Sequence, residues 1–109
     1  MGSGPTSPSP STVGYTPDAA RQIDALYGYF EDKGRIEASR NLSRALDEAE
    51  ARIVLNPGAG LPAPRPYPEL ARREAAWIKA GRYWIAYRRG GPPVIVAVFD
   101  ETADIPGRY

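Results

Sequence analysis

A chain with neither histidine nor cysteine lacks imidazole acid–base catalysis, thiolate nucleophiles, disulfides and the commonest zinc ligands together. The side chains still able to do chemistry are arginine, lysine, tyrosine and the carboxylates. Carboxylate pairs such as Glu31-Asp32 and Asp47-Glu48 fall on helical surfaces, where solvated charge is the ordinary role rather than general acid and base. No glycine-rich phosphate loop follows a strand, no HExxH or CxxC occurs, and no serine has a histidine to activate it. Two uses of the remaining side chains stay open. One is arginine, lysine and tyrosine acting on phosphodiesters, which some small ribonucleases manage without histidine. Arg72, Arg73, Lys79, Arg82, Trp84 and Arg88 form a cationic and aromatic group suited to binding a partner. Neither reading calls for a metal or a cofactor.

The charge distribution supports a contact surface. The net charge is only +1, so general adhesion to nucleic acid, or sequence-specific binding of it, is not expected. From Arg65 onward, however, there are eight basic and five acidic residues, and Glu74 is the single acid between Ala71 and Asp100. Strand-edge cations are often merely solubilising, but five basic residues with so little opposing charge point to a partner. Trp84 reads as an anchor for that partner, with core packing as the alternative.

The elements that must position these residues are legible from periodicity and punctuation. Residues 1–12 are almost wholly Gly, Ser, Pro and Thr and read as a flexible tail, native or left by cloning. Residues 13–109 read as one domain. Val13 to Tyr15 suggests a short edge strand. Thr16-Pro17-Asp18 is a helix start with an N-cap hydroxyl, a proline at the first helical position and an acid in the first turn. Ala19, Ile23, Leu26, Tyr27 and Phe30 then form one stripe as far as about Asp32. A second stripe, Ala38, Leu42, Ala45, Leu46, Ala49, Ile53 and Val54, predicts a helix over roughly 36–55. The short link between them implies an antiparallel hairpin.

From Asn56 to Pro68 five prolines predict an extended, polyproline-like connector, favoured over an SH3 or WW ligand motif. Three strands follow, over about 75–79, 82–89 and 93–99, separated by Ala80-Gly81 and Gly90-Gly91-Pro92. Turns this short make them antiparallel. The central and last strands are apolar on both faces. The hairpin covers one face, and nothing further in the chain looks able to cover the other, so an exposed groove lined by Trp84 is expected. There is no basic segment leading into an apolar one and no apolar run of about 18 residues, so a cytoplasmic location is expected.

The residues Pro68-Glu69-Leu70-Ala71-Arg72-Arg73, Lys79-Ala80-Gly81-Arg82-Tyr83-Trp84-Ile85-Ala86-Tyr87-Arg88 and Val94 to Phe99 resemble the ParE-type pattern of the RelE/ParE toxin superfamily. The G-R-Y-x-I-x-Y-R core is its most specific piece, and Tyr15-Thr16-Pro17-Asp18-Ala19 resembles the opening strand and helix start of that family. The resemblance spans Val13 to Tyr109. It implies an α+β fold: a short N-terminal strand and a two-helix hairpin on one face of a small antiparallel sheet. It further implies a toxin neutralised by a ParD-like antitoxin, part of which orders along the toxin. One branch of the superfamily poisons DNA gyrase and another cleaves mRNA on the ribosome. Where the nuclease branch carries an arginine early in the central strand this chain has Trp84, and the tail after Phe99 is acidic where a nuclease needs cations. The resemblance therefore implies a gyrase inhibitor. A ribosome-dependent endoribonuclease using Arg82, Arg108 and Tyr109, and a degenerate antitoxin-binding module, are the alternatives.

Overall fold

The computed structural model describes residues 13–64, 67–71, 75–90 and 92–102. The tail expected over 1–12 and the candidates Arg72, Arg73, Arg108 and Tyr109 lie outside them. The order is β1 (Gly14–Tyr15), α1 (Pro17–Asp32), α2 (Ile36–Leu55), β2 (Ala75–Ala80), β3 (Tyr83–Arg88) and β4 (Val94–Asp100). This is the expected α+β arrangement.

The helix ends are set by the residues that announced them. Thr16 Oγ1 accepts from the Ala19 N–H at 3.2 Å, a cap that contributes about 1 kcal/mol. Gly34, at φ 65°, takes the left-handed conformation that stops α1, and the Arg35 N–H reaches back to the Phe30 carbonyl at 2.8 Å. The chain then turns directly into α2. On α2 the stripe Leu42, Ala45, Leu46, Ala49 and Ile53 is buried. Each Leu or Ile so placed contributes roughly 1.5–3 kcal/mol.

The sheet runs β1-β4-β3-β2. β2, β3 and β4 are antiparallel as expected, but β1 joins β4 in parallel, Gly14 opposite Val94 and Tyr15 opposite Ile95. The sheet is therefore mixed rather than purely antiparallel. A register shift at Ala86/Tyr87 sets Tyr87 opposite Ile95, so Val96 falls on the outer face. Ala76, Ile78, Tyr83, Ile85, Tyr87, Ile95 and Val98 face the helices in one core.

The other face is not the exposed groove expected from the sequence. Trp77, Trp84, Ala86, Ala97 and Phe99 form a second buried cluster with Leu70, and Leu61, Tyr67 and Val96 pack against it. Trp84 is 4% exposed. The cover is the proline-rich connector itself, with Ala63 and Pro64 buried. It is not a continuous polyproline stretch: 3-10 turns at Pro57–Ala59 and Pro68–Leu70 interrupt it. Between them Leu61 exchanges both backbone hydrogen bonds with Trp77, at 2.8 and 2.7 Å.

Side chains cap the sheet where its edge is open, on β2 and on the part of β4 that β1 does not cover. Arg52 Nη1 donates to the Lys79 carbonyl of β2 at 2.9 Å. On β4, beyond the reach of β1, the Val98 N–H donates to Gln22 Oε1 at 2.9 Å. Satisfying edge groups in this way removes them as templates for strand addition.

A candidate binding corner at the β2–β3 turn

The turn between β2 and β3 is two residues long, Gly81 and Arg82, since Ala80 pairs with Tyr83. Gly81 sits at φ 57°, the conformation a tight hairpin needs at that position and one that glycine adopts without a Cβ penalty. This turn and the antiparallel register gather three of the candidate residues. Lys79 is directly opposite Trp84 on neighbouring strands, and its ammonium lies 5.4 Å from the Trp84 ring centroid. Arg82 lies in the turn beside both. Arg88, exposed and opposite Ala75, is at the far end of β3, about 16 Å away along the strand.

The corner is far less positive than a count along the chain suggests. Arg82 forms a two-point fork with Asp100, Nε to Oδ2 at 2.8 Å and Nη2 to Oδ1 at 3.1 Å. Lys79 Nζ pairs with Glu101 at 3.1 Å. The carboxylates that looked like a separate acidic tail are thus the partners of the cations. Burial works against the ionised Asp100 side chain. The Arg82 fork and hydrogen bonds from the Thr102 N–H and hydroxyl, at 2.9 and 2.7 Å, outweigh it and hold the carboxyl below its usual range. The Arg82 guanidinium is correspondingly held more firmly protonated, chiefly by its hydrogen bonds to Asp100.

On the helix side of the same corner a cleft of about 1060 Å³ opens between the α1–α2 turn and the start of β3. Leu26, Tyr29, Phe30 and Ile36 supply its apolar wall, and Arg35, Asn41, Arg82, Asp100 and Thr102 its polar rim. A smaller space of about 470 Å³ continues it along α1, sharing Leu26, Tyr29 and Asp100 and bounded by Gln22, Ala25, Val98 and Phe99. Tyr29 and Ile36 are 52% and 67% exposed. Tyr83 borders the cleft with its hydroxyl buried and without a hydrogen-bond partner among the described residues. Such an orphan costs about 1–3 kcal/mol. Burial first, then the Asp100 charge, push this phenol above its ordinary pKa.

With this geometry in hand, comparison with solved structures is decisive for the fold. A chain of the structure described as "Chromosomal ParDE TA system from P. aeruginosa" superposes with a TM-score of 0.62 at 18% identity, over 82% of this chain and 94% of that one. The two chains share a fold. No protein-family model matches the sequence, and no curated protein matches it.

Of the candidate residues, then, Lys79, Arg82 and Trp84 meet at one corner, Arg88 does not, and Arg72, Arg73, Arg108 and Tyr109 are outside the described residues. Trp84 is core with Lys79 over its ring, rather than an anchor in an open groove. Sequence reasoning overlooked Asp100, Glu101, Arg35 and the Tyr83 hydroxyl. The first two could have been found by register: a two-residue turn fixes Tyr83 beside Ala80, and counting along the next hairpin brings the end of β4 next to Arg82. Arg35 had no such signal, because its place over the cleft depends on how the hairpin lies on the sheet. No group of three or more potential metal ligands occurs among the described residues.

Proposed function

We propose that this protein is the toxin of a type II toxin–antitoxin pair, ParE-like, which arrests growth by binding DNA gyrase without catalysing a reaction and is neutralised by a ParD-like antitoxin. The observation that carries the reading is the shared fold with a ParDE chain over nearly that chain's whole length, on a sequence whose β2–β3 turn and β3 bear the G-R-Y-x-I-x-Y-R segment.

The gyrase branch is favoured over the nuclease branch by two features of the corner. The Arg82 fork is already engaged by Asp100, and a guanidinium so held is poorly placed to stabilise charge developing on a phosphodiester. Trp84 occupies, buried, the position at which the nuclease branch presents arginine.

Induced expression in a bacterial host tests the toxin reading: growth arrest is expected, relieved by co-expression of a cognate ParD-like antitoxin. Purified protein should inhibit gyrase supercoiling and leave translated mRNA uncut. Codon-positioned cleavage lost in Arg82→Ala would move the protein to the nuclease branch. Unaffected growth would reduce it to a binding module.

A further inference from the structure

The cations of the second half of the chain divide between the two ends of the sheet. At the β2–β3 turn Lys79 and Arg82 are answered by Glu101 and Asp100, and Glu31, Asp32 and Glu37 flank the α1–α2 turn at the same end. At the other end β3 runs out in Arg88, followed by Arg89, both exposed. Among the described residues neither guanidinium takes part in an ion pair or a side-chain hydrogen bond. The described segments that meet there hold no carboxylate. Ala75 stands opposite Arg88, Gly14 opposite Val94, and the turn at Pro57–Ala59 lies over Tyr87. In sequence the run into Ala75 is Arg72-Arg73-Glu74, net positive and outside the described residues.

What this end offers is charge without an apolar anchor. The exposed large apolar side chains are Tyr29 and Ile36, at the opposite end, and Val54 and Leu55, on the helix layer. Strand alternation carries Arg88 onto the outer face instead, in line with Trp84 and Ala86. A protein–protein contact is ordinarily anchored by a desolvated aromatic or aliphatic side chain. Contact with a nucleic-acid backbone needs only donors that reach phosphate oxygens, and the guanidinium supplies them in pairs. The net charge of +1 gives no reason for adhesion by the whole surface, but a positive excess confined to one end orients that end toward a polyanion.

We propose that the end of the sheet carrying Arg88 and Arg89 contacts the phosphate backbone of duplex DNA, without regard to its sequence. Two guanidinium–phosphate contacts make such binding weak and salt-sensitive, the logarithm of the binding constant falling with the logarithm of salt concentration at a slope of about −1.8. The proposal goes beyond the toxin reading and does not depend on it.

The test is fluorescence anisotropy of a short labelled DNA duplex of arbitrary sequence, titrated with the purified full chain from low to physiological salt. The parent should bind at low salt, and Arg88→Gln/Arg89→Gln should weaken that binding about tenfold or more and flatten its salt dependence toward zero. Arg40→Gln/Arg44→Gln removes the same two charges from the exposed face of α2 and should bind as the parent does. All four side chains are exposed, and thermal melting verifies the fold of each variant. A parent chain that leaves the duplex free at low salt overturns the proposal. So does an Arg40→Gln/Arg44→Gln variant as weak as the Arg88→Gln/Arg89→Gln one, because the attraction then follows net charge rather than place. A polyglutamate peptide that binds through Arg88 and Arg89 more tightly than the duplex assigns this end to an acidic protein surface and overturns it too. None of these outcomes touches the toxin reading, which growth arrest decides.

Discussion

The Tyr87 hydroxyl donates to the Pro57 carbonyl at 2.5 Å, tying the middle strand to the first turn of the connector, and Gly60 lies against the same phenol. A Cβ built on Gly60 would stand 2.5 Å from Tyr87 Oη and 2.7 Å from the Ala76 Cβ. Its backbone is in the ordinary extended region, at φ −67° and ψ 157°, so the requirement for glycine is one of space. Tyr87 is fully buried and hydrogen-bonded, and cannot swing aside. Gly60→Ala should therefore cost about 1–3 kcal/mol by overpacking, and Tyr87→Phe about 1–2 kcal/mol by orphaning the carbonyl. Midpoints of urea unfolding measure both, and a Gly60→Ala midpoint at or above the parent's would contradict the packing described.

Trp84 belongs to the second core, so its truncation should act on folding before it acts on any partner. Trp84→Ala is expected to destabilise by about 3–5 kcal/mol, a large share of what a domain of this size has. Trp84→Phe should lose less. If Trp84→Ala abolishes growth arrest, soluble yield and melting should fall with it. A variant that keeps the parent's melting temperature but loses activity would return Trp84 to the role of a contact residue.

How far the sequence spoke for the fold depended on whether the signal was local. Thr16-Pro17-Asp18 starts α1 as expected, and α2 spans Ile36–Leu55 as expected, although Val54 of its predicted stripe is exposed. The strands extend within a residue or two of the expected limits. The parallel pairing of β1 with β4 was hidden, because two residues carry no pairing information of their own. The prolines of the connector, which donate no hydrogen bond, predict an extended stretch and say nothing of what it packs on. Its apolar residues Leu61, Ala63, Tyr67 and Leu70, spaced among the prolines, were the available sign that it lies on the sheet. The same blindness affected the site: Lys79 and Arg82 looked unopposed because Asp100 and Glu101 are about 20 residues away in sequence yet adjacent in register.

The Arg82–Asp100 fork gives acid sensitivity a definite sign. Asp100 titrates below its ordinary range in the folded protein, so its contribution is complete above the unfolded pKa of about 4 and is lost as pH falls through the lower folded value. Asp100→Asn should be less stable than the parent near pH 7, by no more than about 1 kcal/mol for a pair this close to solvent, and the two should converge toward pH 3. Arg82→Lys should resemble Asp100→Asn more than the parent, since an ammonium cannot reproduce the fork. Urea midpoints for the three proteins between pH 3 and 7 decide the matter: a gap that persists unchanged at pH 3 would show that the fork is not its source.

Alkaline sensitivity should trace to Tyr15. Its phenol is part-buried between β1 and α2 and donates to Glu50. Burial, then the hydrogen bond to Glu50, then the charges of Glu50 and Asp47 all push its pKa up, well beyond the usual tyrosine range. A group whose folded pKa is raised contributes stability that is whole below the unfolded pKa, about 10, and declines as pH climbs from there toward the folded value. The unfolded chain releases the proton in that window while the folded one retains it. Tyr15→Phe removes this proton linkage, though Tyr83, whose phenol is also raised, keeps a share of it. The parent's unfolding midpoint should therefore fall between pH 9 and 11.5 more steeply than that of Tyr15→Phe, with the variant already somewhat less stable at pH 8 through loss of the Glu50 contact. Parallel alkaline limbs would mean that Tyr15 ionises as readily folded as unfolded, which its contact with Glu50 forbids.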